Sequence, residues 1–354
     1  MRILARYIAF DVLRGVAMTV GVLLAVASFV ELVGQLDDVG TNDYGFAEAL
    51  SYVALRLPRT IFEILPPAAL IGALLSLGNL AVHRELVVMR ASGVSNVQLL
   101  GAVSTAGVAL LVVMLLLGES LAPSLGAYAR EMRTSALNED LVEAGESAWL
   151  RNRDRIWNLR RQEGNVDVGG LYLFELEEGW ELGRVARADS AELGGEGEWL
   201  LLNYAETRFV EDGVDVHREP VARRQYDLSP DLLGFSTVRE DLLDTPALQR
   251  YIRYLEANDL DATSYQIAYW SRMANIASVL LMTVLALPFV FGGLRSAGKG
   301  GRLLAGLVIG LSYYVGTQLL TNSGEVFDLD PRVVAWAPTG VLLLVTFVAF
   351  TRMR

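Results

Sequence analysis

The residues closest to a known chemical pattern are Gly293-Leu-Arg-Ser-Ala-Gly298-Lys299-Gly300, which nearly spell a phosphate-binding loop. Nucleotide binding of that kind needs a strand before the glycines, a helix after them, and a Ser or Thr hydroxyl for magnesium. Here a long apolar run precedes the glycines and Gly300 stands where the hydroxyl belongs. The segment reads as a basic, flexible loop, and ATP hydrolysis by this chain alone is not expected. His83-Arg84-Glu85-Leu86 lacks the second histidine, one helical turn on, that a zinc-protease pattern requires. The chain has no cysteine and only two histidines, His83 and His217, so thiolate chemistry, disulfides and a histidine-rich metal site drop out. No Ser/His/Asp set stands in or near an apolar segment. A formal charge of −11 speaks against nucleic acid as a partner.

Two other groupings carry more information. Between two apolar runs, His83 to Val97 is a compact polar connection holding Arg84, Glu85, Leu86, Val88, Met89, Arg90 and Gly93. It predicts a short amphipathic helix with Leu86 and Met89 on one side and charges around them. Such a helix can dock into a partner's groove as a lever, or be a plain connector. The second grouping is of arginines. Arg56 and Arg59 precede one apolar run at a spacing of three, and Arg130 and Arg133 follow another at the same spacing, so each pair shares a helix face. Arg272 and Arg332 begin two further runs. Guanidinium forks bind phosphate well, here on an anionic lipid headgroup. They equally pair with nearby carboxylates such as Glu63, Glu119 and Glu131.

The elements that position these residues are membrane spans. Hydrophobic content is 53% and mean hydropathy is +0.36, and the run lengths decide its meaning. A hydrocarbon core of ~30 Å needs about 20 helical residues. Six runs qualify, about Val16–Val33, Ile61–Val82, Gln98–Leu121, Met273–Leu294, Leu303–Leu320 and Val333–Phe350. The first is too long for a signal-peptide core and is read as a retained helix. Pro66-Pro67 sits inside the second, where a kink is expected. Ala68-x3-Gly72-x3-Ser76 and Gly306-x3-Gly310 allow close helix contact.

Between the third and fourth spans the composition changes. Apolar runs vanish, and turn signals recur at residues 163–165, 178–179, 194–197 and 212–213. Between them lie strand-like segments, Gly170–Leu176 and Glu198–Tyr204, which suggest a small sandwich or jelly roll. A helix capped by Asp244 or Thr245, with Pro246 at its start, follows. The expected organisation is therefore 1–122 with spans one to three, 123–262 as the β domain and following helix, and 263–354 with spans four to six. Arg2, Arg6, Arg14, Arg84, Arg90, Arg295, Lys299, Arg302, Arg352 and Arg354 all fall on one side. The positive-inside rule makes that side cytoplasmic, with both termini. The β domain, the loop with Asp37, Asp38 and Asp43, and the Glu325-Asp328-Asp330 hairpin then lie outside.

Glu85-Leu-Val-Val-Met-Arg-Ala-Ser-Gly93, Pro66-x-Ala-Ala-Leu-x-Gly-Ala-Leu74, Tyr265-Gln266 with Trp270-Ser-Arg272, and Phe291-Gly-x-Leu-Arg295-Ser296 resemble the lipopolysaccharide-export permeases of the LptF/LptG family. The likeness runs in order through essentially the whole chain. Gln35-Leu-Asp-Asp-Val-Gly40 and the end of span four favour the LptG branch. The resemblance implies a membrane α-helical fold of three plus three spans with an inserted periplasmic β-jellyroll domain, in the bacterial inner membrane. It further implies pairing with LptF around a cavity that takes lipopolysaccharide from the outer leaflet. Two copies of the ATPase LptB would bind the ATP and magnesium, this chain holding no cofactor, and the lipid would pass on through LptC and LptA. It makes His83–Val97 the coupling helix, with Arg84, Glu85, Leu86, Met89 and Arg90 as its contact residues. It makes Arg59, Arg130 and Arg133 candidate phosphate contacts, and Arg56 and Arg272 join them from the arginine spacing. The chain departs from some relatives in carrying Asp37 and Asp38 where they have lysines. A mechanotransmitting subunit that moves no lipid typically has four spans, with its large domain after the first. A membrane-anchored periplasmic scaffold needs no docking helix.

Overall fold

A computed structural model describes residues 2–137, 147–152, 154–161, 168–177, 181–193, 198–210, 213–226, 243–291, 298–327 and 329–352. The turn signals at 163–165, 178–179, 194–197 and Asp212 lie outside the described residues, as do Arg295, Ser296 and Asp328. Six helices are long and apolar enough to cross a membrane, and together they form one compact unit, which also includes Glu240–Leu248. Its helices are α1 (Arg2–Gln35), α2 (Phe46–Val82), the short α3 (Glu85–Ala91) and α4 (Asn96–Leu116), which continues through a π-turn (Leu117–Leu121) into α5 (Ala122–Leu137). After the β domain come α6 (Thr245–Ala257), α7 (Thr263–Phe291), α8 (Lys299–Val326) and α9 (Pro331–Thr351).

Every span is longer than its apolar run. Hydropathy marks only the part matched to hydrocarbon, whereas the backbone hydrogen-bond ladder continues into polar flanks wherever side chains there pack. At 1.5 Å per residue, the 34 residues of α1 reach about 51 Å. The largest extension changes a boundary. The third span was expected to stop at Leu121, with the β domain starting at Pro123, but helix persists to Leu137. The π-turn explains why Pro123 does not break it. The Ala122 N–H reaches back to the Leu117 carbonyl, and this wider turn shifts the ladder just before the residue that has no donor.

The bundle is organised around α2 and α7. Of the most apolar stretch of α2, 67% is buried, against 11% for α1 and α8, which marks those two as peripheral. Leu70, Leu74, Leu77, Val279, Met282 and Leu285 fill the centre with side chains that are fully buried. Small residues set the helix spacing. Gly72 of α2 meets the backbone of α1 at Gly15 and Val16, and the Ser76 hydroxyl donates to the Asp11 carbonyl at 2.9 Å. Gly306 and Gly310 of α8 lie against Ile71, Leu74 and Pro67 of α2. Both small-residue patterns therefore serve packing within the chain. The outward sides of α1 and α8 carry exposed Val22, Val26, Phe29, Leu304, Val308 and Leu311, the composition of a lipid-facing surface.

The inserted unit contains an antiparallel sheet, β1 (Ser147–Asn152), β2 (Arg155–Arg161), β3 (Val168–Leu176), β4 (Leu182–Ala188), β5 (Ser190–Leu193), β6 (Glu198–Val210) and β7 (Gly213–Gln225). β5 prolongs β4, because both pair with β3 and β6 in one continuous register. The described strands thus run as a meander. A crease crosses it. Asp189 interrupts β4 and β5, and Asn203 in the facing strand takes φ 52° and hydrogen-bonds Asp189 at 3.2 Å. The alternation slips there: Trp199 and Leu201 are buried on one side of the crease, Tyr204 and Glu206 on the other. One residue of slip lets a single strand serve one core on both sides of a bend.

Beyond the apolar core of Trp157, Leu173, Ala186 and Tyr204, charges run across successive strands. Arg155 binds Glu175 at 2.8 Å, Arg184 binds both Glu175 and Glu206, and Arg208 binds Glu206 at 2.6 Å. Glu206 is 4% exposed and also accepts from the Tyr204 hydroxyl at 2.5 Å. Burial pushes its carboxyl up, but the bonds from Tyr204 and Arg208 and the charges of Arg184 and Arg208 outweigh it. Its pKa lies below the ordinary value.

Candidate functional site

Two places in the helical unit gather the residues singled out by sequence. The first is the α2–α3–α4 connection. His83 ends α2, Arg84 takes a left-handed φ of 62°, and Glu85 opens α3. Gly93 at φ 91° permits the return, and Ser95 caps α4 through a reciprocal box with Gln98. Leu86 is 1% exposed and joins Ile8, Val12 and Leu99 in the core, and Met89 packs against the same cluster. Val87 and Val88 are more than half exposed on the other side. The Arg90 guanidinium lies 5.4 Å from the Phe291 ring at the end of α7. Arg84 is exposed, and Glu85 accepts a hydrogen bond from Tyr7 of α1 at 2.9 Å. The amphipathic reading of Leu86 and Met89 holds. The segment touches α1 through Glu85 and the end of α7 through Arg90.

The second place is the rim where α1 ends, α2 begins and α5 ends. Arg133 donates to Gln35 at 3.1 Å and to Asp38 at 2.5 Å. Arg56 pairs with Glu31. The Tyr52 ring lies 5.5 Å from the Arg56 guanidinium and 5.7 Å from that of Arg133. Arg59 pairs with Glu63 one turn on, at 3.0 Å. Among the described residues Arg56, Arg59 and Arg133 thus pair with carboxylates, Asp38 among them. Arg130, half-buried on the same helix face as Arg133, makes no ion pair among the described residues.

Arg272 stands apart from that cluster. It donates to the Leu243 carbonyl at 2.9 Å and to the Thr245 hydroxyl at 3.3 Å, and Thr245 in turn donates to Glu119 at 2.6 Å. Glu119 lies in the π-turn, so the local widening presents its carboxylate to the chain returning toward α6. Asp244 caps α6, accepting from the Ala247 N–H at 2.7 Å. Sequence reasoning missed Tyr7, Tyr52, Gln35 and Phe291 as partners. Tyr52 and Arg56 stand four apart and were legible as a helical pair; Tyr7 and Phe291 carry no local signal.

Six spans, a polar connection and an arginine rim, with an antiparallel β domain inserted between spans three and four, define a polytopic membrane protein of the permease type. Comparison with known families agrees: residues 6–352 match lipopolysaccharide export system permease LptF/LptG. The chain belongs to that family. It is 30% identical to the lipopolysaccharide export system permease protein LptG of Escherichia coli (strain K12) over 347 residues, 97% of this chain and 96% of that one. LptG of Haemophilus influenzae is 27% identical over 353 residues, 99% of each chain. LptF of Escherichia coli (strain K12) is 24% identical over 361 residues, 98% of this chain and 94% of that one. The likeness to the LptG proteins is the greater.

Proposed function

We propose that the chain is the LptG-type permease subunit of an ABC-type exporter in the bacterial inner membrane. It extracts lipopolysaccharide from the outer leaflet and passes it to a periplasmic β-jellyroll bridge. Family membership along residues 6–352 carries this reading. In it, LptF is the second permease subunit, and a dimer of LptB binds ATP and magnesium at the face carrying α3. LptC and LptA continue the route through β domains like the one inserted here, which lies on the periplasmic side with both termini cytoplasmic.

The site residues take roles that their surroundings support. Leu86 and Met89 seat α3 on the core, so Glu85, Arg84 and Arg90 can transmit an ATPase's closure without the helix tilting in place. Arg130 is the readiest phosphate contact, since it is already presented beside Arg133 without an ion partner among the described residues. Arg56, Arg59, Arg133 and Arg272 would meet phosphate by sharing or exchanging their present acceptors.

The test is a purified complex of this chain with LptF and LptB in lipid, assayed for ATP hydrolysis with and without lipopolysaccharide. Hydrolysis should respond to the lipid, and Glu85→Ala should uncouple hydrolysis from release. A complex that hydrolyses ATP with no response to lipopolysaccharide and releases none overturns the proposal.

A further inference from the structure

Glu85 is held from an unexpected direction. The Tyr7 hydroxyl, about one and a half turns into α1, donates to its Oε2 at 2.9 Å, joining residues 78 apart in sequence. The geometry arises in steps. The left-handed φ of 62° at Arg84 turns the chain sharply, so that α3 begins on Glu85 with its side chain toward α1. Leu86 then joins the buried cluster that holds Ile8, the residue after Tyr7, and Val12, one turn beyond Ile8. The apolar contact seats α3 on the core, and the hydroxyl–carboxylate bond ties its first residue to α1.

A second group sharpens the picture. Asp11 lies one turn beyond Tyr7 on α1. Its Oδ2 is buried without a hydrogen-bond partner among the described residues, and the charges of Glu85 and Arg14 both act on it. Two carboxylates in a partly desolvated place repel. The Arg14 charge offsets part of that repulsion at Asp11, and the Tyr7 hydroxyl gives Glu85 a neutral donor from the same helix. A hydrogen bond to a charged acceptor is stronger than a neutral one.

We propose that Tyr7 is a positioning residue for energy coupling: its hydroxyl locks the Glu85 end of α3 to α1, so that movement of the lever reaches the first span. This rests on the reading of α3 as the coupling helix. The first span has an apolar outer surface and packs by backbone contact against α2 at Gly15 and Val16, so a displacement of its first turns is passed along the span rather than absorbed in a loop. Tyr7 does not contact cargo or nucleotide; it acts through Glu85.

The experiment uses the reconstituted complex of this chain with LptF and LptB, and compares wild type, Tyr7→Phe, Glu85→Ala and the double variant. Phenylalanine keeps the ring and removes only the hydroxyl. Tyr7→Phe is expected to lower lipopolysaccharide released per ATP hydrolysed about five-fold, ~1 kcal/mol at the usual 1.4 kcal/mol per decade. In the Glu85→Ala background it should change that ratio less than two-fold, because its partner is gone. The melting midpoint of the complex should stay where it is. A ratio within two-fold of wild type in the single variant overturns the inference. So does a loss that persists in the Glu85→Ala background, or one that comes with a lowered midpoint, which marks Tyr7 as merely structural. Should the wild-type complex release no lipopolysaccharide, the functional proposal fails by itself. The same four-way comparison read on ATP turnover then decides Tyr7.

Discussion

Gly72→Ala tests whether backbone contact sets the α1–α2 packing. A Cβ at Gly72 would lie 2.5 Å from Val16 Cα, 2.6 Å from Val16 N and 2.8 Å from Gly15 C. All three are backbone atoms, so no side chain can rotate aside. Carbon atoms rest at about 3.5–4.0 Å, so α1 must retreat by roughly 1 Å at the crossing. That opening also stretches the Ser76–Asp11 hydrogen bond from its present 2.9 Å. Overpacking of this kind costs about 1–3 kcal/mol, and the stretched bond about 1 kcal/mol more. Alanine's better helix propensity returns close to 1 kcal/mol. The net expectation is a loss of about 2 kcal/mol, read as a melting midpoint several degrees lower in the detergent-solubilised protein. Gly340→Ala is the control, since nothing lies within 4 Å of a Cβ there; it should leave the midpoint unchanged or raise it slightly. A Gly72→Ala protein that melts with wild type, or a Gly340→Ala protein that falls equally, would refute the packing argument.

Other outcomes follow from the charged and apolar contacts. Glu206 titrates below the ordinary carboxylate range, about 4.3, so it stabilises the folded β domain above that value. The contribution fades as pH falls through the lower folded pKa. Glu206→Gln should therefore weaken the domain at neutral pH and flatten its acid unfolding curve by circular dichroism; an unchanged curve contradicts the network. Arg133→Ala removes bonds to Asp38 and Gln35 and should lower the melting midpoint modestly. Arg130→Ala should leave the midpoint alone and weaken lipopolysaccharide binding in a pull-down. The reverse order would reassign the two roles. Leu86→Ala empties a fully buried site beneath α3. It should cost about 2–4 kcal/mol locally, seen as faster amide exchange over residues 85–91 than in wild type.

Local information went far in this chain. Run length located all six spans, because the hydrocarbon thickness leaves few other uses for about 20 apolar residues in a row. Arginine placement proposed a sidedness, and α3 lies inside the His83–Val97 segment but is shorter, ending at Ala91. Asp244 as a cap was one of two choices, settled by the 2.7 Å bond to Ala247. The helix of the third span runs on past its apolar end, since a proline and a drop in hydropathy look like a helix boundary unless the π-turn before them is known.

The partners of the arginines and of Glu85 were decided only in three dimensions. A rim arginine surrounded by acids in the sequence has several acceptors within reach, and charge alone does not rank them. The fold chose Glu31 for Arg56 and Asp38 for Arg133, and it left Arg130 without an ion partner among the described residues. Tyr7 meets Glu85 because α1 crosses α2 where Gly15 faces Gly72, which brings the start of the chain beside the end of α2. Composition and periodicity determine which segments enter the membrane, since that is a transfer free energy summed along the chain. Which side chains then meet depends on where helices cross, and that is set by close-packed contacts between residues distant in sequence.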